Sequence, residues 1–371
     1  MTTVAAQAHP PPHHPTPCRP APPRPAWNHR AERGGTLLVR LTIWLALRFG
    51  WHAGRVLLIP ITGYFFLAAP DARRASARFL GRALGRPAGA AAVFRHLLGF
   101  AAMLFDRIFF LAGRAGTFSL SVVGAEHLAT AVAAGRGVVL LGGHLGSFEA
   151  LRAFGRTAPV PVRVLMYRAN MGAFSRAMER LDPTLAAAVI EIGAPEAMLR
   201  VREAITRGEI VGILADRMPE PAARAATDDG PRGRASGAAR RVRVPFLGAE
   251  AGFPAGPFLL AAGLGAPVLL FFGLRTGPRR YELRFEPFAE RLDLPRIGRA
   301  AALRQVVVCY ADRLAERART HPFQWFNFHD LWDPTWEAPP DACPSATVPA
   351  ARPVRMAGAG PGDGAEADPA G

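Results

Sequence analysis

Two patterns of apolar and polar positions divide the chain. From Thr36 to about residue 115 the apolar stretches are long and helical in spacing: TLLVRLTIWLALRFGWHAGRVLLIPITGYFFLAAP, RFLGRALG and FRHLLGFAAMLFDRIFFLAG. From about residue 118 they become short: FSLSVVG, GVVLLGG, VRVLMY, AAVIEIG, EIVGILAD, APVLLFFGL and YELRFEPF each have the length and β-branched content of a strand. Helices are expected between them, at Glu126 to Ala134, Phe148 to Gly155, Phe174 to Leu181, Ala194 to Arg207 and Gly256 to Gly263, and again at Ala301 to Thr320. Such alternation predicts an α/β fold, a mixed sheet with helical cover.

The N-terminal helices carry a second expectation. Their longest charge-free run, Val56 to Pro70, is shorter than the roughly 20 residues that a spanning helix needs, and it contains Pro60 and Gly63. Trp44 and Trp51 stand among Arg40, Arg48 and Arg55, a mixture suited to helices lying at a lipid headgroup boundary. The plainer reading is an amphipathic helix packed under the rest of the domain.

Composition sets the outer limits. Residues 1–35 are rich in Pro, His and Ala and residues 336–371 in Pro, Ala and Gly, both without periodicity, and the segment 219–241, PEPAARAATDDGPRGRASGAARR, resembles the latter. All three are expected to be disordered, which leaves one folded region at 36–335, with 36–115 as its helical, membrane-contacting part. His9, His13 and His14 read as solvated tail rather than as a metal site.

The formal charge is +16, but all 45 basic residues are arginine. The absence of lysine excludes a Schiff-base lysine, a P-loop ending in G-K-S/T and a lysine-based kinase site. A basic surface beside apolar helices suits an anionic membrane face or an acidic carrier; the arginines are spread along the chain, and no nucleic-acid motif is present. Cys18, Cys309 and Cys343 have neither disulfide nor metal spacing, and no metal is expected. MTTVAAQAHPPPHHPTPCRP has no basic start followed by an apolar run, so no cleaved signal peptide is read.

The sharpest local signal is GVVLLGGHLGSFEALRAF. An apolar strand runs into Gly142 and Gly143, then His144, then a helix starting near Ser147. The glycines permit a tight turn and close approach of a ligand at Gly143. Ser147 is positioned to cap the helix, whose N–H groups would favour developing negative charge. His144 would stand at the carboxyl end of a strand, the usual ligand edge of such sheets. Glu149 follows five residues later, about 500° of helical turn, so the two would share a face only with His144 in the preceding turn. From there a carboxylate on one ring nitrogen would leave the other free to take a proton from an alcohol.

Taken with the segments downstream, this motif resembles the lysophospholipid acyltransferase superfamily, in the branch of the late acyltransferases of lipid A biosynthesis. The resemblance covers roughly residues 40–333. The family's H-x-x-x-x-D/E is matched by His144 and Glu149; VRVLMYRANMGAF resembles its second block, GEIVGILADRMPE its third, and RRVRVPFLGAEAGFPAGPFLLAAGLGAPVLLFF the segment ending in its fourth. The aromatic ending HPFQWFNFHDLW is similar to that of relatives acting in aryl polyene or other specialised lipid synthesis, although packing on the sheet is the simpler role for Phe323, Trp325, Phe326 and Trp332.

The resemblance implies a glycerolipid-acyltransferase-like fold. It implies His144 as general base with Glu149 as its partner, and Arg168 and Asn170 holding phosphate or sugar. Asp216 and Arg217 would border the site and Arg243 would meet an anionic group, with no bound cofactor. Acyl carrier protein or acyl-coenzyme A would be the thioester donor. The acceptor would be a hydroxyl of a lipid A-type lipid, a lysophospholipid, an ornithine lipid or an aryl-polyene lipid. The expected location is the cytoplasmic face of a bacterial inner membrane. His329 and Asp330 are not expected to displace His144 as the base.

Two other classes compete. A serine hydrolase would use Ser147, but Leu-Gly-Ser-Phe-Glu lacks the second glycine of the nucleophile elbow. A basic membrane-binding protein without catalysis would have a dispensable His144.

Overall fold

The computed structural model describes residues 36–155, 160–166, 177, 180–182, 184–217 and 241–332. The expected disordered segments lie outside these residues, apart from Arg241 at the end of the insert. The helix expected at Phe174 to Leu181 also falls largely outside them, as do Arg168 and Asn170.

The chain begins with helices α1 (Thr36–Ala68), α2 (Pro70–Leu84) and α3 (Ala90–Leu111). It continues through β1 (Ser119–Val123), α4 (Ala125–Ala133), β2 (Val138–Gly146), α5 (Phe148–Gly155), β3 (Val162–Met166), α6 (Thr184–Ala188), β4 (Val189–Glu191), α7 (Ala197–Thr206) and β5 (Ile210–Leu214). A hairpin of β6 (Arg241–Phe246) and β7 (Ala249–Pro254) follows, then α8 (Gly256–Leu264), β8 (Val268–Gly277), β9 (Arg280–Ala289) and α9 (Arg299–Thr320).

Seven strands form one mixed sheet in the order β1-β9-β8-β2-β5-β3-β4. The five from β8 to β4 run parallel, β9 is antiparallel to β8, and β1 is parallel to β9. The strands that the apolar runs predicted are therefore present, and the class is α/β. Both faces of the sheet are covered, which is why β2 reads as a continuous apolar run rather than an alternation. Val139 and Leu141 join a core with α2, α7, α8 and α9, whereas Val138 and Leu140 join another with α1, α3, α4 and α5.

The β6–β7 hairpin, a separate two-stranded sheet, was not among the predicted strands. Its outward positions hold Arg243 and Pro245, and β7 passes through Gly252 and ends at Pro254, so neither strand is rich in β-branched residues. Leu247 and Gly248 make its turn, both with positive φ (49° and 81°).

The first helix is broken at Gly50, whose φ of 81° and ψ of 179° are open to glycine but not to an L side chain. No single helix among the described residues is long and apolar enough to cross a membrane; α1 from Arg40 and α2 satisfy the criterion only as a pair bent by 98°. The outer surface of α1 is nevertheless apolar: Trp44, Val56 and Leu67 are 57%, 68% and 73% exposed, beside Phe49, Leu57, Ile59, Tyr64 and Phe65.

Candidate active site

The site is assembled where β2 and β5 end side by side. Gly142 pairs with Leu214, and the amide of Ala215 donates to the carbonyl of Gly142 over 2.9 Å. Two residues further along each chain stand His144 and Asp216. One Asp216 oxygen, Oδ1, is 2.7 Å from His144 Nδ1, and the other, Oδ2, accepts from the His144 backbone N–H at 2.7 Å. The carboxylate therefore grips both the ring and the backbone of one histidine, which fixes its rotation and its tautomer. With Nδ1–H donated to Asp216, Nε2 is the basic nitrogen.

The carboxylate is itself held from behind. Trp325 Nε1 donates to Oδ2 over 2.8 Å, and Asn327 Nδ2 donates to the Asp216 carbonyl over 3.1 Å. Asp216 is 1% exposed. Burial by itself would raise its pKa, but the charge of His144, the bonds from its ring and backbone, and the Trp325 N–H outweigh it. The carboxyl is held below the ordinary carboxylate value. Trp325 lies on a short extended segment across the end of β2. The amide of Gly146 donates to Gln324 O (2.8 Å), the amide of Phe326 donates to His144 O (2.7 Å), and Leu145 and Trp325 form an antiparallel bridge.

The glycine at position 143 has a direct reason. A Cβ there would lie 3.1 Å from Asp216 Oδ2 and 3.2 Å from both Leu314 Cδ1 and the Tyr310 hydroxyl, which itself donates to Gly142 O at 2.8 Å. Any side chain at Gly143 would crowd the carboxylate that orients His144.

Glu149 does not fill the place expected of it. The carboxylate bonded to the imidazole ring is that of Asp216; Glu149 forms an ion pair with Arg107 of α3, Oε1 to Nε at 2.5 Å. The reason is local: β2 continues through Gly146, so His144 lies in the strand rather than in a preceding turn, while Glu149 sits in the first turn of α5, which packs towards α3. Ser147 does not cap that helix either. Its amide donates to Gly273 O at 2.7 Å, and its buried hydroxyl has no hydrogen-bond partner.

The amides of His144, Gly146 and Ser147 are thus all committed within the fold, which removes them as donors to an oxyanion. Arg243 is exposed on the outer face of β6, opposite Val244 and Phe246. Arg217 and Arg241 are the arginines whose charges reach the neighbouring His329, as do those of His144 and Asp216. Burial first, then these cations, push the His329 pKa down to about 3, so its ring is neutral. Asp330 pairs with Arg78 of α2.

The supporting residues Trp325, Asn327 and Tyr310 carried no chemical signature in the sequence. The one clue was the density of aromatic and amide groups in WFNF, which reads equally well as packing. No protein-family model and no curated protein matches the chain.

Proposed function

We propose that the chain is an O-acyltransferase working at a membrane surface, with His144 as general base and Asp216 as the residue that orients it. The observation that carries this reading is the 2.7 Å contact between the buried Asp216 carboxylate and Nδ1 of a His144 whose side chain is 29% exposed, at the carboxyl edge of parallel strands. A partly open imidazole with a buried carboxylate on its far nitrogen is suited to taking a proton from an alcohol near neutral pH.

In the proposed reaction, Nε2 removes the proton of an acceptor hydroxyl as its oxygen attacks the carbonyl carbon of an acyl thioester. The C–O bond forms, the C–S bond breaks, and the departing thiolate takes the proton back from Nε2. With the amides of His144, Gly146 and Ser147 committed, we assign stabilisation of the negative charge on the carbonyl oxygen to Arg217 and Arg241, whose charges reach His329 together with that of His144. The resemblance to lipid A acyltransferases suggests acyl carrier protein or acyl-coenzyme A as donor and a lipid A-type or related lipid as acceptor. A glycerolipid-acyltransferase-like arrangement and contact of the N-terminal helices with the cytoplasmic face of an inner membrane belong to the same reading. The exposed apolar surface of α1 supports that contact.

The test is acyl transfer to membrane lipids from radiolabelled acyl carrier protein and from acyl-coenzyme A, with products separated as intact lipids. Wild type would be compared with His144→Ala, Asp216→Asn and Glu149→Gln. Transfer abolished by the first two and retained by the third supports the assignment. Transfer that survives His144→Ala rejects it, and vesicle binding with no transfer from either donor favours a non-catalytic membrane binder.

A further inference from the structure

A cavity lies on the β8 side of the strand-end segment that holds Trp325. It is a cleft of about 650 Å³ between α1, α3, the end of β8 and residues 320–326. Its wall includes Trp51, Leu98, Met103 and Phe323, an apolar surface, together with Arg55 and Arg275. In each of these arginines Nη1 is shielded from water and has no hydrogen-bond partner. The buried hydroxyl of Ser147, also in the wall, is without a partner too.

The charges here do not balance. Asp106 is the carboxylate whose field reaches both guanidinium groups, but the hydrogen bonds it accepts come from Trp51 Nε1 (to Oδ1) and the Tyr281 hydroxyl (to Oδ2), each at 2.7 Å, while Arg55 lies over the Trp51 ring, 5.1 Å from its centroid. Burial, followed by repulsion from Arg275, makes the charged form of Arg55 less favourable than in water, only partly offset by Asp106 and Tyr281. Arginine cannot discharge by losing its proton at any ordinary pH. Two half-buried cations that repel each other, each with one shielded and unpartnered N–H group, in the wall of a cavity large enough for a ligand, favour an anion that would neutralise them.

We infer that this cleft binds the phosphate group of an amphiphile, with the guanidinium groups of Arg55 and Arg275 as its donors and the apolar wall receiving the adjoining carbon chain. A phosphate offers several acceptor oxygens to the two guanidinium groups and supplies a negative charge beside them. A lipid phosphate and the phosphopantetheine of an acyl thioester share this chemistry. The inference does not rest on proton transfer by His144.

The test is calorimetric titration of the full-length protein, in detergent and phosphate-free buffer, with sodium pyrophosphate as probe. Saturable binding is expected, weakened about tenfold or more in Arg275→Gln and in Arg55→Gln, and unchanged in His144→Ala. Thermal melting of the arginine variants without ligand distinguishes a lost site from a lost fold. Relief of the repulsion predicts melting at or above the wild-type temperature, which a purely structural role for these arginines would not produce. Displacement by dihexanoyl phosphatidic acid would assign the site to a lipid phosphate, and displacement by coenzyme A to the thioester donor. The inference is overturned if wild type shows no saturable binding up to about 10 mM pyrophosphate, or if both arginine variants bind as well as wild type.

Discussion

At the scale of single residues, the proposed function rests on two side chains that are 72 positions apart in sequence and 2.7 Å apart in space. Asp216→Asn keeps the shape of the carboxylate but offers an amide to the ring, which favours the wrong tautomer. Turnover should fall by about three to four orders of magnitude, with little change in substrate KM. Trp325→Phe retains a ring in the core and removes one donor to Asp216. The expected loss is about 1 kcal/mol of stability, and a rise in the lower apparent pKa of the pH–rate profile would identify the effect as electrostatic. Glu149→Gln separates two roles: it breaks a largely buried pair with Arg107, so the melting temperature should drop by an amount equivalent to about 2–4 kcal/mol. The rate per folded molecule should persist.

The sequence singled out His144 with Glu149 as its partner, whereas the structure pairs the imidazole with Asp216. The H-x-x-x-x-E spacing implied that His144 and Glu149 were local partners. Which carboxylate reaches the imidazole is decided by where β2 stops, and that boundary depends on the bridge between Leu145 and Trp325, a contact 180 positions long. Asp216 was readable as a residue at a strand end bordering the site. Its pairing with His144 was not, because strand order follows from long-range packing and not from any local spacing. Arg243 was singled out from its strand, yet the period of two turns it outward.

Among the elements, α1 departs furthest from an ordinary surface helix. Apolar patches larger than a few hundred Å² on a soluble monomer generally mark a contact surface, and here Trp44, Val56 and Leu67 lie on one broken helix. The triple substitution Trp44→Ser, Val56→Ser and Leu67→Ser should reduce sedimentation with anionic phospholipid vesicles by about tenfold or more while leaving the melting temperature nearly unchanged. Equal sedimentation of variant and wild type would count against α1 as the contact. The pattern of Trp and Arg pointed to Trp44, which is exposed, but also to Trp51, which is buried and donates to Asp106; the break at Gly50, between them, was not foreseen.

For the whole molecule, stability should depend on pH through histidines that the fold keeps neutral. His96 is buried between α2, α3 and the Trp325 segment, with Nδ1 2.8 Å from Ser76 Oγ and Nε2 2.9 Å from the Trp325 carbonyl. Burial, only partly offset by that carbonyl, lowers its pKa from 6.5 to about 4. The unfolded chain takes up a proton below about pH 6.5 and the folded chain does not. Stability is therefore lost as pH falls from about 6.5 towards 4, by roughly 3 kcal/mol for this one group. His329 acts in the same direction, and Asp216, with its lowered pKa, extends the loss at more acid pH. Chemical denaturation between pH 4.5 and 7.5, repeated with His96→Gln, should show a shallower slope in the variant.

The Trp325 bond to Asp216 also has a meaning in time. Translation delivers His144 first and Asp216 second, but the indole that steadies the carboxylate arrives 109 residues later. A nascent chain that already holds both polar groups has no clamp on them. A fragment ending before Trp325 should lack the clamped carboxylate even if its sheet has formed, so synthesis itself postpones completion of the His144–Asp216–Trp325 arrangement until nearly the whole described fold has been made.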